Sequence, residues 1–380
     1  MGRPLFDVGQ IVRLHRPDLE CCQILSFVQD RALTAMALCR TAALGGHEGL
    51  CTACGLKEDP SYNSCRNRNC PKCQALAQER WIATRAAAIL PIPHFHGVFT
   101  LPEDFRPLAR RFPREIYDAM FRCASGALLK LARRRLGLTL GLTLILHTWT
   151  RELHFHPHVH VLISAGGLAL DGASFKRIKE KFLLHLTPLT ALFKKLMMKA
   201  LRRLQDEGVF GMTKDAFGSL MVSLAGQKWR VYLKKAFKCA AFVLKYLGRY
   251  THRIGISNSR LVAVTTEQVT FRSKDGRTVT LAPVAFLQRL VQHVLPERFK
   301  KIRHLGLYAA PKLLAQAKEH LGAQATPTAP PATWQEILLA LTGVDATRCK
   351  GCGSPLYHTT LLPDRPWPRP ARDPSPRSPP

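Results

Sequence analysis

Acidic residues are scarce. Asp and Glu number 26 against 56 Lys and Arg, which leaves a net charge of +30 and a pI near 10.2. An excess of this size points to a polyanionic partner, nucleic acid first and a membrane surface second. Long apolar runs are also lacking. The longest candidate, "LGLTLGLTLIL" at 136–146, is rich in Thr and Gly and falls short of the ~18 apolar residues that a span needs. A membrane-spanning protein is therefore not expected. "MGRPLFDVGQ" at 1–10 lacks the apolar core of a signal peptide, so the expected location is the cytoplasm. No internal repeat is visible. The chain has 380 residues, 46% of them apolar, enough for two or more domains with a substantial core.

Cysteine is abundant, at 12 residues, but its arrangement argues against a disulfide scaffold. Five cluster in "CTACGLKEDPSYNSCRNRNCPKC" at 51–73, and Cys349 and Cys352 form another C-x-x-C. In a cytosolic protein, paired C-x-x-C steps mark zinc. Cys51 and Cys54, then fifteen residues, then Cys70 and Cys73, have the spacing of a tetrahedral thiolate site for structural Zn²⁺. Cys65 or His47 could each replace one of these four. Arg66 and Arg68, in "RNRNCPKC", are interleaved with the ligands, as in nucleic-acid-binding zinc modules. Cys349–Cys352 is half a site, to be completed by His358 or left empty. Cys21, Cys22, Cys39, Cys123 and Cys239 sit in apolar surroundings and read as buried small hydrophobes.

Apolar spacing gives a helix over 17–43, a basic helix over 74–90 and another over about 104–135. Strands are expected at 94–102, at 138–150, from Pro157 to about 165, and at 229–237. A helix broken at Pro188 spans 175–206, and a second covers 238–251. Residues 261–282 read as a hairpin turning at Asp275-Gly276, and 283–295 as a last helix. From about 322 the chain turns Ala/Thr/Pro-rich, and the tail from 363 is expected to be disordered. The expected fold is α+β: a helical zinc module, then an antiparallel sheet with one open face and helices on the other side.

The chemistry gathers at "LHFHPHVHVL" (153–162), where His154, His156, His158 and His160 occupy alternate positions. Histidines two apart on a strand share a face, and neutral imidazole ligates divalent transition metals. Pro157 suits a strand's first residue, which leaves His158 and His160 as the convergent pair. Further on, "CAAFVLKYLGRYTHRIGISNSRL" places Tyr246 and Tyr250 four apart on one helix face, beside a basic stripe of Lys245, Arg249 and Arg253. A tyrosine hydroxyl can attack a DNA phosphodiester when a divalent ion polarises the phosphate. The products are a 5′-phosphotyrosyl enzyme and a free 3′-OH.

With these stretches in view, the chain resembles a known family. "RTAALGGHEGLCTACG", "YNSCRNRNCPKCQ", "HFHGVFTLP", "LHTWTRELHFHPHVHVLISAGG", "YLGRYTHRIGISNSRL" and "FLQRLVQHVLPERFKKIRHLG", in that order over roughly residues 20–310, are similar to the rolling-circle insertion-sequence transposases. These form the two-tyrosine branch of the His–hydrophobe–His endonucleases, of the IS91 type. The resemblance implies that His158-Val159-His160 is the metal motif and that Tyr246 and Tyr250 are the nucleophiles. It implies an N-terminal zinc-binding, DNA-binding domain (1–90), a two-tyrosine nuclease domain (91–310) and a C-terminal extension (311–380). Asn69 stands where the family pattern has His, so the four-cysteine zinc set is kept. Such sites recruit a third ligand; His147 in "LHTWT" is the choice, with His96 and His156 as runners-up. The implied cofactors are Zn²⁺ for structure and Mg²⁺ or Mn²⁺ for catalysis, and the implied partner is DNA, as single-stranded element ends and target. The rival readings are a decayed zinc protein that binds DNA without cutting, a plasmid-type relaxase or replication initiator, and a histidine-metal hydrolase that activates water.

Overall fold

The structure, a computed structural model, describes residues 5–179, 183–237, 248, 255–273, 275–323 and 333–362. Ten helices and three antiparallel sheets are present among them, an α+β architecture. The expected first helix is two: α1 (Val8–Cys22) and α2 (Phe27–Leu38). Gln23 is extended, and Ser26 with Gln29 forms a reciprocal capping box that starts α2 afresh. After β1 (Gly46–Leu50) and β2 (Ser61–Tyr62) comes α3 (Ala75–Ala88). β3 (His94–Thr100) leads to α4 (Phe105–Arg111) and α5 (Pro113–Leu136). These two were expected as one helix. Pro113 forces Phe112 out of helical geometry (φ −125°, ψ 59°) and then opens α5. Gly137, left-handed at φ 66°, closes α5 and hands the chain to β4 (Leu138–Trp149).

β4 and β5 (Phe155–Ala169) form the spine of the largest sheet. Its order is β11–β4–β5–β3–β7, with β6 (Phe175–Arg177) added to β5. β7 is Arg230–Phe237, and β11, an edge strand the sequence did not suggest, is Ile302–Gly306. Pro157 lies inside β5, not at its start. The β4–β5 register slips between His147 and Trp149, so Pro157 faces no ladder position there, and β3 pairs only from His158 onward.

The pleat divides this sheet into two chemistries. Phe99, Leu144, Val159, Val161 and Ile163 point to one side and bury against α5 and α6 (Leu186–Asp206), with Phe99 edge-on to Phe193 at 5.0 Å. Pro188 sits in the first turn of α6 rather than breaking a longer helix. The other face carries His94, His96, His147, His158, His160 and His304. α3 covers one end of it, laying Trp81, Ile82 and Ile89 on Ile145, Leu162 and Ile302. A helix α7 (Lys214–Gly226), absent from the sequence reading, follows α6.

The expected hairpin at 261–282 is a three-stranded sheet of β8 (Leu261–Val264), β9 (Val269–Arg272) and β10 (Thr278–Leu281). With α8 (Pro283–Val291) it shares a core with the first two helices, in which Ile11, Leu33 and Met36 meet Phe271, Phe286 and Leu290. The chain ends with α9 (Pro311–His320), α10 (Trp334–Thr342) and β12 (Tyr357–Leu361). β12 returns to the N-terminal module and pairs with β1.

Two buried histidines away from the convergent group carry a stability signature. His94 donates through Nδ1 to the Ile92 carbonyl at 2.8 Å, and His293 donates through Nε2 to the Leu153 carbonyl at 3.1 Å. Burial pushes both down to about 4, so both are neutral in the fold where the unfolded chain takes up a proton near pH 6.5. Stability should therefore fall as pH drops from 6.5 toward 4, by on the order of 3 kcal/mol for each group. Thermal unfolding followed across that window checks this. A midpoint that does not move would mean these rings are not held neutral.

Candidate active site

His147 on β4 lies directly opposite His158 on β5, and His160 follows two residues on along the same face. The three rings offer ligand atoms within 4.8 Å of one another. Ring centroids lie 4.2 Å apart for His147 and His160, 4.9 Å for His158 and His160, and 5.4 Å for His147 and His158. Burial pushes His158 down to about 4, which keeps the ring in its neutral, ligating form.

Neighbouring contacts orient the cluster. His158 donates from Nδ1 to the His156 carbonyl at 2.8 Å, which in the neutral ring leaves Nε2 with the lone pair. His160 uses Nδ1 toward Nε2 of His96 on β3 at 2.8 Å, with the two rings parallel to within 2°. His96, a runner-up for third ligand, is thus the outer partner of His160, and His156 supplies a carbonyl. Such partners fix the ring tautomer and orientation of metal-binding histidines. His96→Ala is accordingly expected to weaken divalent-ion affinity about 10–100-fold, read by calorimetric Mn²⁺ titration; affinity equal to wild type would assign His96 no orienting role.

Cations flank the histidines. On β7, Arg230 pairs with Thr100, Tyr232 with Val98 and Lys234 with His96, so all three side chains emerge on the histidine face. All three are exposed. Behind His147, Trp149 stacks at 5.0 Å, and the Lys301 ammonium lies 5.2 Å from the Trp149 ring centre. Burial, with the Arg68 charge nearby, pushes Lys301 down to about 7. Arg68, Asn69, Thr148, Trp149 and Lys301 line a cavity of about 270 Å³ between the cysteine module and the sheet. Arg68 is exposed but donates one guanidinium N–H to the Phe299 carbonyl at 2.8 Å. Arg66 is exposed in left-handed backbone, φ 53°.

Tyr246, Tyr250, Lys245, Arg249, Arg253 and Cys239 lie outside the described residues. Gly248, between the two tyrosines in sequence, is described: it is helical and buried against α3. A Cβ there would come 2.6 Å from Ile82 Cδ1, so any larger residue would have to displace the Ile82 side chain on α3.

The cysteines form two clusters, and neither is the expected set. Cys39, Cys65, Cys70 and Cys73 gather in one, and Cys51, Cys54, Cys349 and Cys352 in the other. The expectation that Cys51, Cys54, Cys70 and Cys73 share one ion is corrected: β1 carries Cys51 and Cys54 toward β12 and away from Cys70. Cys39, read as a buried hydrophobe, closes the first cluster, because α2 ends on it beside the Cys70–Cys73 turn. Cys65 is a member of that cluster, whereas His47 is exposed on β1 and His358 bonds the Ala346 carbonyl. Asn69 is buried and bonded to Asn67 (3.1 Å), and the adjacent cluster already offers four thiols in Cys39, Cys65, Cys70 and Cys73. Cys21 and Cys22 are exposed rather than buried. Cys349 and Cys352 were readable in part, since "CKGCG" repeats the form of "CTACG".

A cysteine-rich module joined to an antiparallel sheet with converging histidines defines the class, and the comparisons agree with it. Residues 11–101 match the family described as "Transposase zinc-binding domain", and residues 141–315 the family described as "Putative transposase". The chain belongs to the IS91/IS801 family of insertion-sequence transposases. It is 37% identical over 351 residues to "Putative transposase y4qJ" of Sinorhizobium fredii, covering 86% of this chain and 88% of that one. It is 30% identical over 350 residues to "Transposase for insertion sequence element IS801" of Pseudomonas savastanoi pv. phaseolicola, covering 88% and 84%. No solved structure matches the chain. Among the described residues, no helix is long and apolar enough to cross a membrane.

Proposed function

We propose that this transposase nicks and rejoins single-stranded DNA at the ends of its element through a 5′-phosphotyrosine link, driving rolling-circle transposition. The observation that carries this reading is the convergence of His147, His158 and His160 on the open sheet face, with two of the rings oriented by His96 and the His156 carbonyl. Imidazole donors favour first-row transition ions over Mg²⁺, so of the two expected ions Mn²⁺ is the better match to this donor set; a divalent ion, when bound, would polarise the scissile phosphate and stabilise charge on the leaving 3′-oxygen.

The chain's own residues supply the rest. Tyr246 or Tyr250 attacks phosphorus, its O–P bond forms, and the bond to the 3′-oxygen breaks to leave a 3′-OH. A phenol with a pKa near 10 must lose its proton as it attacks. Lys245, Arg249 and Arg253, on the same segment, would hold phosphates near the nucleophile, and Arg66 and Arg68 would hold the strand at the cysteine module. Arg230 and Lys234 bracket Tyr232 on the edge strand β7, an alternation of phosphate-binding cations and a base-stacking ring suited to single strands. The second tyrosine accepts a second strand, or a 3′-OH reverses the linkage at the target.

The test is a denaturing-gel assay on end-labelled single strands carrying the element's ends, with Mg²⁺ or Mn²⁺. A protein-linked 5′ label that persists in one single Tyr→Phe variant and disappears in Tyr246→Phe/Tyr250→Phe is the expected result. Salt-sensitive binding with no covalent adduct under any metal would leave a protein that binds DNA without cutting it.

A further inference from the structure

The two ends of the chain carry one five-residue pattern, "CTACG" at 51–55 and "CKGCG" at 349–353. Both fold into the same turn. The first cysteine's N–H donates to the carbonyl five residues on, Cys51 to Leu56 and Cys349 to Ser354, each at 2.9 Å. The glycine N–H donates back to the first cysteine's carbonyl, at 2.8 Å for Gly55 and 2.9 Å for Gly353. Both glycines are left-handed, at φ 73° and 74°, a conformation that only glycine adopts without strain. The two turns face each other, with Cys51 Sγ 3.5 Å from Cys352 Sγ and Cys54 Sγ 3.7 Å from Cys349 Sγ.

These separations are far beyond a disulfide's ~2.05 Å. They agree with a thiolate tetrahedron, whose edge is about 3.8 Å for a Zn–S bond of about 2.3 Å. We propose that Cys51, Cys54, Cys349 and Cys352 bind one Zn²⁺ as a ribbon split between the ends of the chain. This ion fastens residues 333–362 to the N-terminal module. Binding displaces the thiol protons to solvent and involves no redox step.

The surrounding structure has the form of such a ribbon. β12 pairs with β1 along its whole length, from Gly46 opposite Leu361 to Leu50 opposite Tyr357. The apolar core between them consists of Cys51, Cys349 and Leu356. A core so small needs a staple to hold its shape. Lys350, itself exposed, reaches the half-buried Glu58 across the junction at 3.3 Å. The family match to a zinc-binding domain ends at residue 101, so half of this site lies outside it. α10 packs on α3, and α3 covers one end of the histidine face. The clasp therefore braces the helix against which Gly248 rests.

The experiment uses the full chain and does not depend on strand cleavage. Elemental analysis should find two zinc ions per protein, and one in Cys349→Ser/Cys352→Ser. In hydrogen exchange, Tyr357–Leu361 amides should lose protection in that variant while β4 and β5 keep theirs. Cys352→His, which retains a zinc ligand, should restore the second ion and the protection. If the double variant does not fold, cobalt titration of the wild type decides: two ions per chain, each with four-thiolate charge-transfer absorbance, support the ribbon. A single ion in the wild type, or a second ion that survives loss of Cys349 and Cys352, overturns it.

Discussion

Cys70→Ser/Cys73→Ser is expected to unfold the N-terminal module. Both residues belong to the cluster with Cys39 and Cys65, and Cys39 and Cys70 are buried among Leu33, Met36 and Phe286. In isolated zinc-finger peptides, thiolate sites contribute about 10–16 kcal/mol to folding. A whole domain's net stability is about 5–15 kcal/mol. The metal term is as large as the margin it supports, so no local repacking compensates for its loss. Because α1 and α2 share their core with β9 and α8, the loss should propagate to that layer and spare the sheet backed by α5 and α6. Thermal unfolding should show an early transition, and hydrogen exchange should show Val8–Cys22 and Phe27–Leu38 unprotected at a temperature where β5 remains protected. A single transition at the wild-type temperature would remove the cluster from the list of structural elements.

His158→Ala should slow strand cleavage by orders of magnitude while leaving the fold intact. The ring faces His147 across the β4–β5 ladder, next to His160, and its Nδ1 is committed to the His156 carbonyl. Removing it takes away one of the three proposed ligands, while His160 keeps its partner His96. Lewis-acid stabilisation of a leaving oxygen is worth several kcal/mol, so the cleavage rate should fall by roughly 10³-fold. Metal-free DNA binding should be unchanged. His304→Ala provides the control: it shares the face, but its ring is engaged with Thr143 at 3.0 Å, and cleavage should persist. Single-turnover cleavage by His158→Ala within tenfold of wild type would sink the proposed role of the histidine cluster.

What could be read from the chain in advance was local. Alternation along β5 put His158 and His160 on one face, because a strand repeats every two residues whatever surrounds it. The short connection after β4 placed His147 within reach. Pro113 splits a continuous apolar pattern into α4 and α5, because the residue before a proline is driven out of helical geometry, here Phe112. β11 was missed because five half-buried residues on a sheet edge carry no strong alternation.

Sequence alone determined the charge, the family motifs, the α+β class and the histidine pair, all of which depend on composition or on neighbours a few residues apart. The tertiary structure decided which cysteines meet. A C-x-x-C turn supplies two ligands and carries no information about its partner, so nearness in sequence suggested Cys70 and Cys73 for Cys51 and Cys54. The pairing of β1 with β12 delivers Cys349 and Cys352 instead, from some 300 residues away. It frees Cys70 and Cys73 to close on Cys39 and Cys65. His96 was settled in the same way, since only the register of β3 on β5 brings it against His160. Strand register is a property of the whole sheet, set by which faces are buried, and no single segment encodes it.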